Sequence, residues 1–300
     1  SYEHPDWAYF GSGADKIYTV SNTLMVYDIQ ALQYLYGSNS SYNSDDTKYE
    51  INPANLTVMA IWDAGGEDLI DLSSFNHSCI VDLNHGSYSA LGYHSWEPKD
   101  NLGIAFNTFI ENISGSQADD VIVGNELDNE ISGNGGDDTL YGGAGNDVFN
   151  VPVGSRDGVD KMYGGDGNDT YVLLNASDIV IEFADEGIDT IYAPTNYVLP
   201  KNVENLHGFG TRGNLTLEGN SLDNVIRGSE LDDIISGKAG ADDFLLYLGM
   251  GNDKITDFNS HEGDEILLAE SLINYEYSIT SAGAMYSLND GSSLELIYVI

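Results

Sequence analysis

The chain has 300 residues, with 49 Asp or Glu against 10 Lys or Arg, a formal net charge of −39. That sign excludes nucleic acid and anionic membrane surfaces as partners, because both carry the same charge. It also makes the chain repel itself, so its folded state is expected to need bound cations.

The apolar fraction, 41%, is that of a globular protein and not of a disordered acidic tail. Cys79 is the single cysteine, so no intramolecular disulfide can form; in the run Cys79–Leu83 it reads as a small buried hydrophobe. No apolar run is long enough for a membrane span. No secretory pattern opens the chain, which fits export through a C-terminal signal or a beginning that lies upstream.

In chain order, residues 27–37 (YDIQALQYLYG) read as one short helix, with Asp28 as N-cap, Gly37 as the stop, and Ile29, Leu32, Leu35 and Tyr36 on one apolar face. This stretch resembles the helix that closes the catalytic domain of serralysin-type secreted metalloproteases. In that family a zinc-binding HExxHxxGxxH helix and a Met-Ser-Tyr turn lie upstream. The resemblance implies a zinc ligand at Tyr2 if Ser1-Tyr2 is the end of that turn. A start at Met-Ser-Tyr with Met removed explains the same two residues. None of the six histidines stands in an HExxH pattern, so the zinc helix is not in this polypeptide, and Zn2+ is expected only with an upstream catalytic domain. Phe10 to Ile17 fits half a nonapeptide with no partner turn, and Ser38 to Asp46 is a polar linker.

Residues 47–112 read as short strands and turns. Within them, Trp62-Asp63-Ala64-Gly65-Gly66-Glu67-Asp68 resembles the serralysin run that begins the C-terminal domain, and the resemblance implies calcium ligands at Gly66 and Asp68. The upstream Asn52-Pro53-Ala54-Asn55 departs from the family's partner loop. Phe109-Ile110-Glu111-Asn112 resembles the family's lead-in to its repeats and implies a first-turn ligand at Glu111.

From Gly115 the chain divides into nines: GSQADDVIV, GNELDNEIS, GNGGDDTLY, GGAGNDVFN. Each block opens on Gly. Position 6 is Asp120, Asn129, Asp138 or Asp147, and position 8 is Ile122, Ile131, Leu140 or Phe149. Glycines allow a tight turn that aims carbonyl oxygens inward, and the last three residues form a strand whose middle side chain enters a core. With two blocks per coil, Asp120 stacks on Asp138 and Asn129 on Asp147. Stacked carboxylates repel unless a cation lies between them, and Ca2+ takes about 6–8 oxygen ligands from carboxylates and carbonyls. No Lys or Arg occurs between Asp100 and Ser155 to serve as counterion. The pattern resembles the calcium-binding nonapeptide of RTX proteins. The candidate ligands are the position-6 residues with Ser116, Ala118, Gly133, Gly135, Gly142 and Ala144 in the turns.

After an insertion, Val151 to Gly154, a worn block keeps Asp160 and Met162, and GGDGNDTYV restores the pattern with Gly165, Gly167 and Asp169. Residues 173–218 lose the glycines, keep a strand-like texture, and resemble the non-calcium spacer between RTX arrays. A second array follows, with Asn224, Asp233, Asp242 and Asp253 at position 6. Neutral Asn at that position lowers ligand charge and weakens a site. Residues 272–300 read as a small antiparallel cap, and the ending Glu295 to Ile300 loosely fits the acidic-then-apolar tail of type I secreted proteins.

The expected fold is all-β: a parallel β-roll, or RTX β-solenoid, with a short N-terminal helix and a C-terminal β cap. The expected organisation is the tail of a metzincin-like catalytic domain (1–37), a β-rich lead-in (38–112), a first calcium roll (113–172), a spacer (173–218), a second roll (219–258) and the cap (259–300). The leading functional expectation is the calcium-folded roll of a secreted serralysin-like protease, a monomer exported by bacterial type I machinery. A stand-alone RTX binding or adhesion protein, or the calcium module of another secreted hydrolase, are the alternatives.

Overall fold

The computed structural model describes residues 7–10, 17–20, 23–55, 58–92, 100–149, 158–210, 213–269, 275–280 and 283–298. Tyr2, most of the half-nonapeptide at 11–16, the insertion at 151–154 and the last two residues lie outside them. The chain divides into two units: residues 1–166 with 177–179, and 167–176 with 180–300.

In the first unit the nonapeptides run alternately through two parallel sheets. One carries Lys48–Glu50, Leu69–Asp71, Asn112–Ser114, Glu130–Ser132 and Val148–Phe149; the other carries Ile80–Asp82, Val121–Val123, Thr139–Ala144 and Lys161–Asp166. Register follows the repeat. Ile122 pairs with Leu140 and Leu140 with Met162, while Ile113 pairs with Ile131 and Ile131 with Phe149. All of these side chains are buried. A three-residue strand sends only its middle side chain inward, so each coil adds one apolar residue per sheet, each worth about 1.5–3 kcal/mol of burial.

The helix spans Val26–Tyr36 and is capped at Met25, not at Asp28. Asp28 occupies the third helical position and its carboxylate accepts from the Met25 N–H at 3.3 Å. The start moves upstream because Val26, fully buried with Ile29, Ala60 and Ala105, is the residue that docks the helix. The expected apolar face is correspondingly corrected: Leu32, Leu35 and Tyr36 are exposed.

The second unit also alternates. One sheet carries Thr170–Val172, Thr190–Ala193, Asn205–Gly208, Val225–Arg227, Asp243–Leu246 and Glu265–Leu268 in order; the other begins Tyr197–Val198, Thr216–Glu218, Ile234–Ser236 and Asn252–Phe258. Residues 190–208 thus carry the same parallel register through a glycine-poor segment, with Tyr171, Ile191, Leu206, Ile226 and Phe244 stacked inside. Ser293–Tyr298 joins Asn252–Phe258 in parallel, and the antiparallel strands Gly283–Leu288 and Tyr275–Thr280 follow. This hairpin covers an edge that would otherwise offer unpaired backbone groups.

Candidate metal centre

The nonapeptide turns are of two kinds. In the glycine-rich kind, positions 2 and 4 are left-handed: Asn134 and Gly136, Gly143 and Gly145, Lys238 and Gly240. Position 4 is glycine in each, since φ near +114° at Gly136 is strained for any residue with a Cβ. The position-1 glycine serves a different need. A Cβ on Gly133 would lie 2.0 Å from Asp138 Oδ2, and one on Gly142 would lie 2.1 Å from Asp147 Oδ2, so the position-6 carboxylate folds back over the start of its own turn.

The second kind uses Ser or Asn at position 2 and closes by side-chain hydrogen bonds. Ser116 N–H and Oγ donate to Asp120 at 2.5 and 2.8 Å, and Ser116 Oγ accepts from the Ala118 N–H at 3.1 Å. Ser229 holds Asp233 in the same way. Where position 6 is Asn, the amide supplies donors itself. Asn129 Nδ2 donates to the Glu111 carbonyl and Asn125 Oδ1, and Asn224 Nδ2 donates to the Glu204 carbonyl and Asn220 Oδ1. An amide offers two hydrogens and no charge, so at these turns position 6 meets two acceptors itself and adds no charge to the row.

Position-6 residues form rows in which each backbone N–H donates to the carboxylate of the next coil. Asp120 donates to Asp138 Oδ1 (2.7 Å), Asp138 to Asp160 (2.9 Å) and Asp160 to Asp178 (3.2 Å). Asn129 donates to Asp147 (2.7 Å), Asp169 to Asp189 (2.8 Å), Asp233 to Asp253 (2.9 Å) and Asp242 to Asp264 (3.1 Å). All of these acids are buried. Their second oxygens tell most: Oδ2 of Asp138 and of Asp253 is buried and accepts no hydrogen bond. Burial pushes both carboxyls up to about 8, and those of Asp120 and Asp242 up to about 6. The ion pairs Lys48–Asp71, Lys238–Glu218 and Lys254–Glu295 engage acids other than the position-6 residues.

The lead-in holds a second constellation. Asp68 N–H donates to Glu111 Oε2 at 2.9 Å, and Asp68 Oδ1 accepts from Thr47 N–H at 2.8 Å. Asp68 Oδ2 is buried without a donor, and burial pushes this carboxyl up to about 6. Gly66, with φ +132°, passes so close to the Asp45 backbone that a Cβ would sit 2.6 Å from the Asp45 carbonyl carbon. Asp63, buried and accepting from Tyr49 Oη at 2.5 Å, belongs to this neighbourhood too and was missed in the sequence, as were Asp178, Asp189 and Asp264 in the rows. The signal for Asp189 was available: Asp189-Thr190-Ile191 repeats positions 6 to 8 of a nonapeptide, with Gly187 at position 4 and no glycine at position 1.

The donor set is all oxygen, carboxylate and carbonyl, with buried acceptors lacking hydrogens. This suits a hard divalent cation and fits calcium. Asp138, Asp160, Asp120 and the turn carbonyls around Gly133 and Gly135 would hold it in the first unit, and Asp233 and Asp253 in the second. When bound, calcium supplies the positive charge that neutralises the rows.

This is the architecture of an RTX-type calcium β-roll. The sequence family described as Peptidase M10 serralysin C terminal matches residues 25–193, and the RTX calcium-binding nonapeptide repeat (4 copies) matches residues 218–255. The chain belongs to the serralysin C-terminal family. It is 33% identical to serralysin C of Dickeya chrysanthemi over 138 residues, 41% of this chain and 28% of that protein. It is 31% identical to serralysin of Proteus mirabilis over 128 residues, 39% of this chain and 25% of that protein. The chain thus spans about a quarter of the length of these relatives. Among solved structures it is similar to the extracellular lipase LipA from Serratia marcescens, with a TM-score of 0.29 and 19% identity, covering 64% of this chain and 39% of that one. Among the described residues, no helix is long and apolar enough to cross a membrane.

Proposed function

We propose that this chain is the calcium-dependent roll of a secreted serralysin-like zinc metalloendopeptidase. It stays unfolded at low calcium during export by a type I machinery, folds outside the cell, and as a monomer supports the catalytic module that precedes it. The observation that carries the reading is the pair of buried carboxylate oxygens without donors, Asp138 Oδ2 and Asp253 Oδ2. Without a cation such groups oppose folding. With calcium outside cells near millimolar, binding to the folded state alone drives the equilibrium toward it. The ligands are Gly66, Asp68 and Glu111 in the lead-in; the turns with Ser116, Ala118, Asp120, Asn129, Gly133, Gly135, Asp138, Gly142, Ala144, Asp147 and Asp160; and Gly165, Gly167, Asp169, Asp233, Asp242 and Asp253. Zinc belongs to the upstream module.

The test is far-UV circular dichroism with EGTA and after calcium is restored, together with the intact mass and metal content of the secreted polypeptide. Reversible loss of β signal, with a larger secreted chain that carries zinc, is expected. An unchanged spectrum in EGTA sinks the calcium reading. A zinc-free secreted chain near 32.5 kDa replaces the protease by a stand-alone RTX protein.

A further inference from the structure

Residues 173–218 lack the glycine signature and read in sequence as a spacer without metal. The folded chain gives part of this segment a different character. Asp169, Glu182 and Asp189 each bring one carboxylate oxygen to within 4.8 Å of the other two. The three residues are 1%, 6% and 1% exposed.

Their remaining valences are already assigned. Asp189 Oδ1 accepts from the Asp169 N–H at 2.8 Å, and Glu182 Oε1 accepts from the Tyr171 hydroxyl. Glu182 Oε2 and Asp189 Oδ2 are buried and accept nothing. The charges that act most strongly on Glu182 are those of Asp189, Asp169 and Glu186, all of the same sign.

The route by which Glu182 arrives is specific. Asp169 and Asp189 stand just before two paired strands, with Thr170 in register with Thr190. Glu182 follows the strand Ile179–Ile181, in which Val180 is buried; the next inward place by alternation falls on Glu182. A charged residue at a core place needs a partner of opposite charge. Tyr171 holds one of its oxygens and the other accepts no hydrogen bond.

We infer that Asp169, Glu182 and Asp189 form an interior site for a hard divalent cation, calcium by its all-oxygen donors, where the last glycine-rich block meets the segment that lacks calcium-type glycines. The site differs from the other row pairs in one respect: an acidic side chain from a core position, Glu182, joins two row aspartates. The inference relies on the calcium reading of the roll only for the choice of ion.

Native mass spectrometry of the full chain in calcium counts the bound ions. Glu182→Gln, nearly isosteric, is expected to carry one ion fewer while the other ions remain. An unchanged count overturns the site and leaves the roll reading intact; a wild-type chain that binds no calcium overturns both. If Glu182→Gln does not fold, terbium in place of calcium gives the second measurement. Tyrosine-sensitised emission is expected to fall measurably in Tyr171→Phe, because that ring lies against the site. Emission equal to wild type overturns the site.

Discussion

The N–H of Asp120 donates to the carboxylate of Asp138 at 2.7 Å, eighteen residues further along the chain. One aspartate therefore serves two coils, closing its own turn over Gly133 and holding the backbone of the coil before it. Asp138→Ala removes both. The orphaned N–H alone costs about 1–3 kcal/mol, or roughly five- to hundredfold in the calcium concentration at half-folding. A calcium titration followed by circular dichroism measures it, and a midpoint equal to wild type would refute the shared role.

Gly133→Ala tests the close approach without touching a charge. The new Cβ would meet Asp138 Oδ2 at 2.0 Å, so calcium binding at that turn is expected to be lost. Gly213→Ala is the control. It meets nothing within 4 Å, and its stability is expected to stay within about 0.5 kcal/mol of wild type. Equal calorimetric profiles for the two variants would discredit the packing argument.

The pH response follows from the acids pushed up to about 8, Asp138 and Asp253. A folded-state pKa above the unfolded value, about 3.9, means that the folded chain binds more protons. The stability from these groups is fully present below pH of about 4 and is lost as pH rises through about 8. In EGTA, the β signal is therefore expected to be larger at pH 5 than at pH 8. In calcium the order reverses, because the ion needs the ionised acids. The same slope with and without calcium would show that these acids do not bind the metal.

Cys79 reports on the same rows. Its N–H donates to Asp120 Oδ1 at 2.6 Å, its side chain is buried, and burial pushes the thiol up to about 12. Only a thiolate reacts readily. Labelling by a thiol reagent at pH 8 is expected to be slow in calcium and at least tenfold faster after chelation. Equal rates would place the thiol outside the calcium-dependent fold.

The inner stack was legible because position 8 never changes character: Ile122, Leu140 and Met162 announce a strand core by period alone. The helix start was not, because Asp28 has the chemistry of an N-cap while Val26, a poor cap, has the contact that decides where the helix begins. Glu182 was hidden for a related reason. Sequence marks a calcium turn by its glycines, which record backbone conformation. It does not mark the convergence of three carboxylates from separate strands, which depends on how coils of 20 and 18 residues fall into register. Asp63 was visible as part of Trp62 to Asp68, but its burial against Tyr49 follows only from the folded lead-in.

The hydrogen bonds along the rows all point one way. In each, the earlier residue donates and the later acid accepts, from Asp120 through Asp138 to Asp160 and Asp178, and from Asn224 through Asp242 to Asp264. Either unit is thus a ratchet with unlike ends. Trimming coils from the late end robs the survivors of acceptors and exposes bare N–H groups; trimming from the early end leaves a carboxylate that water can solvate. Each coil waits for its successor, so a chain threading out with its late coils first would meet calcium with the acceptors already in place.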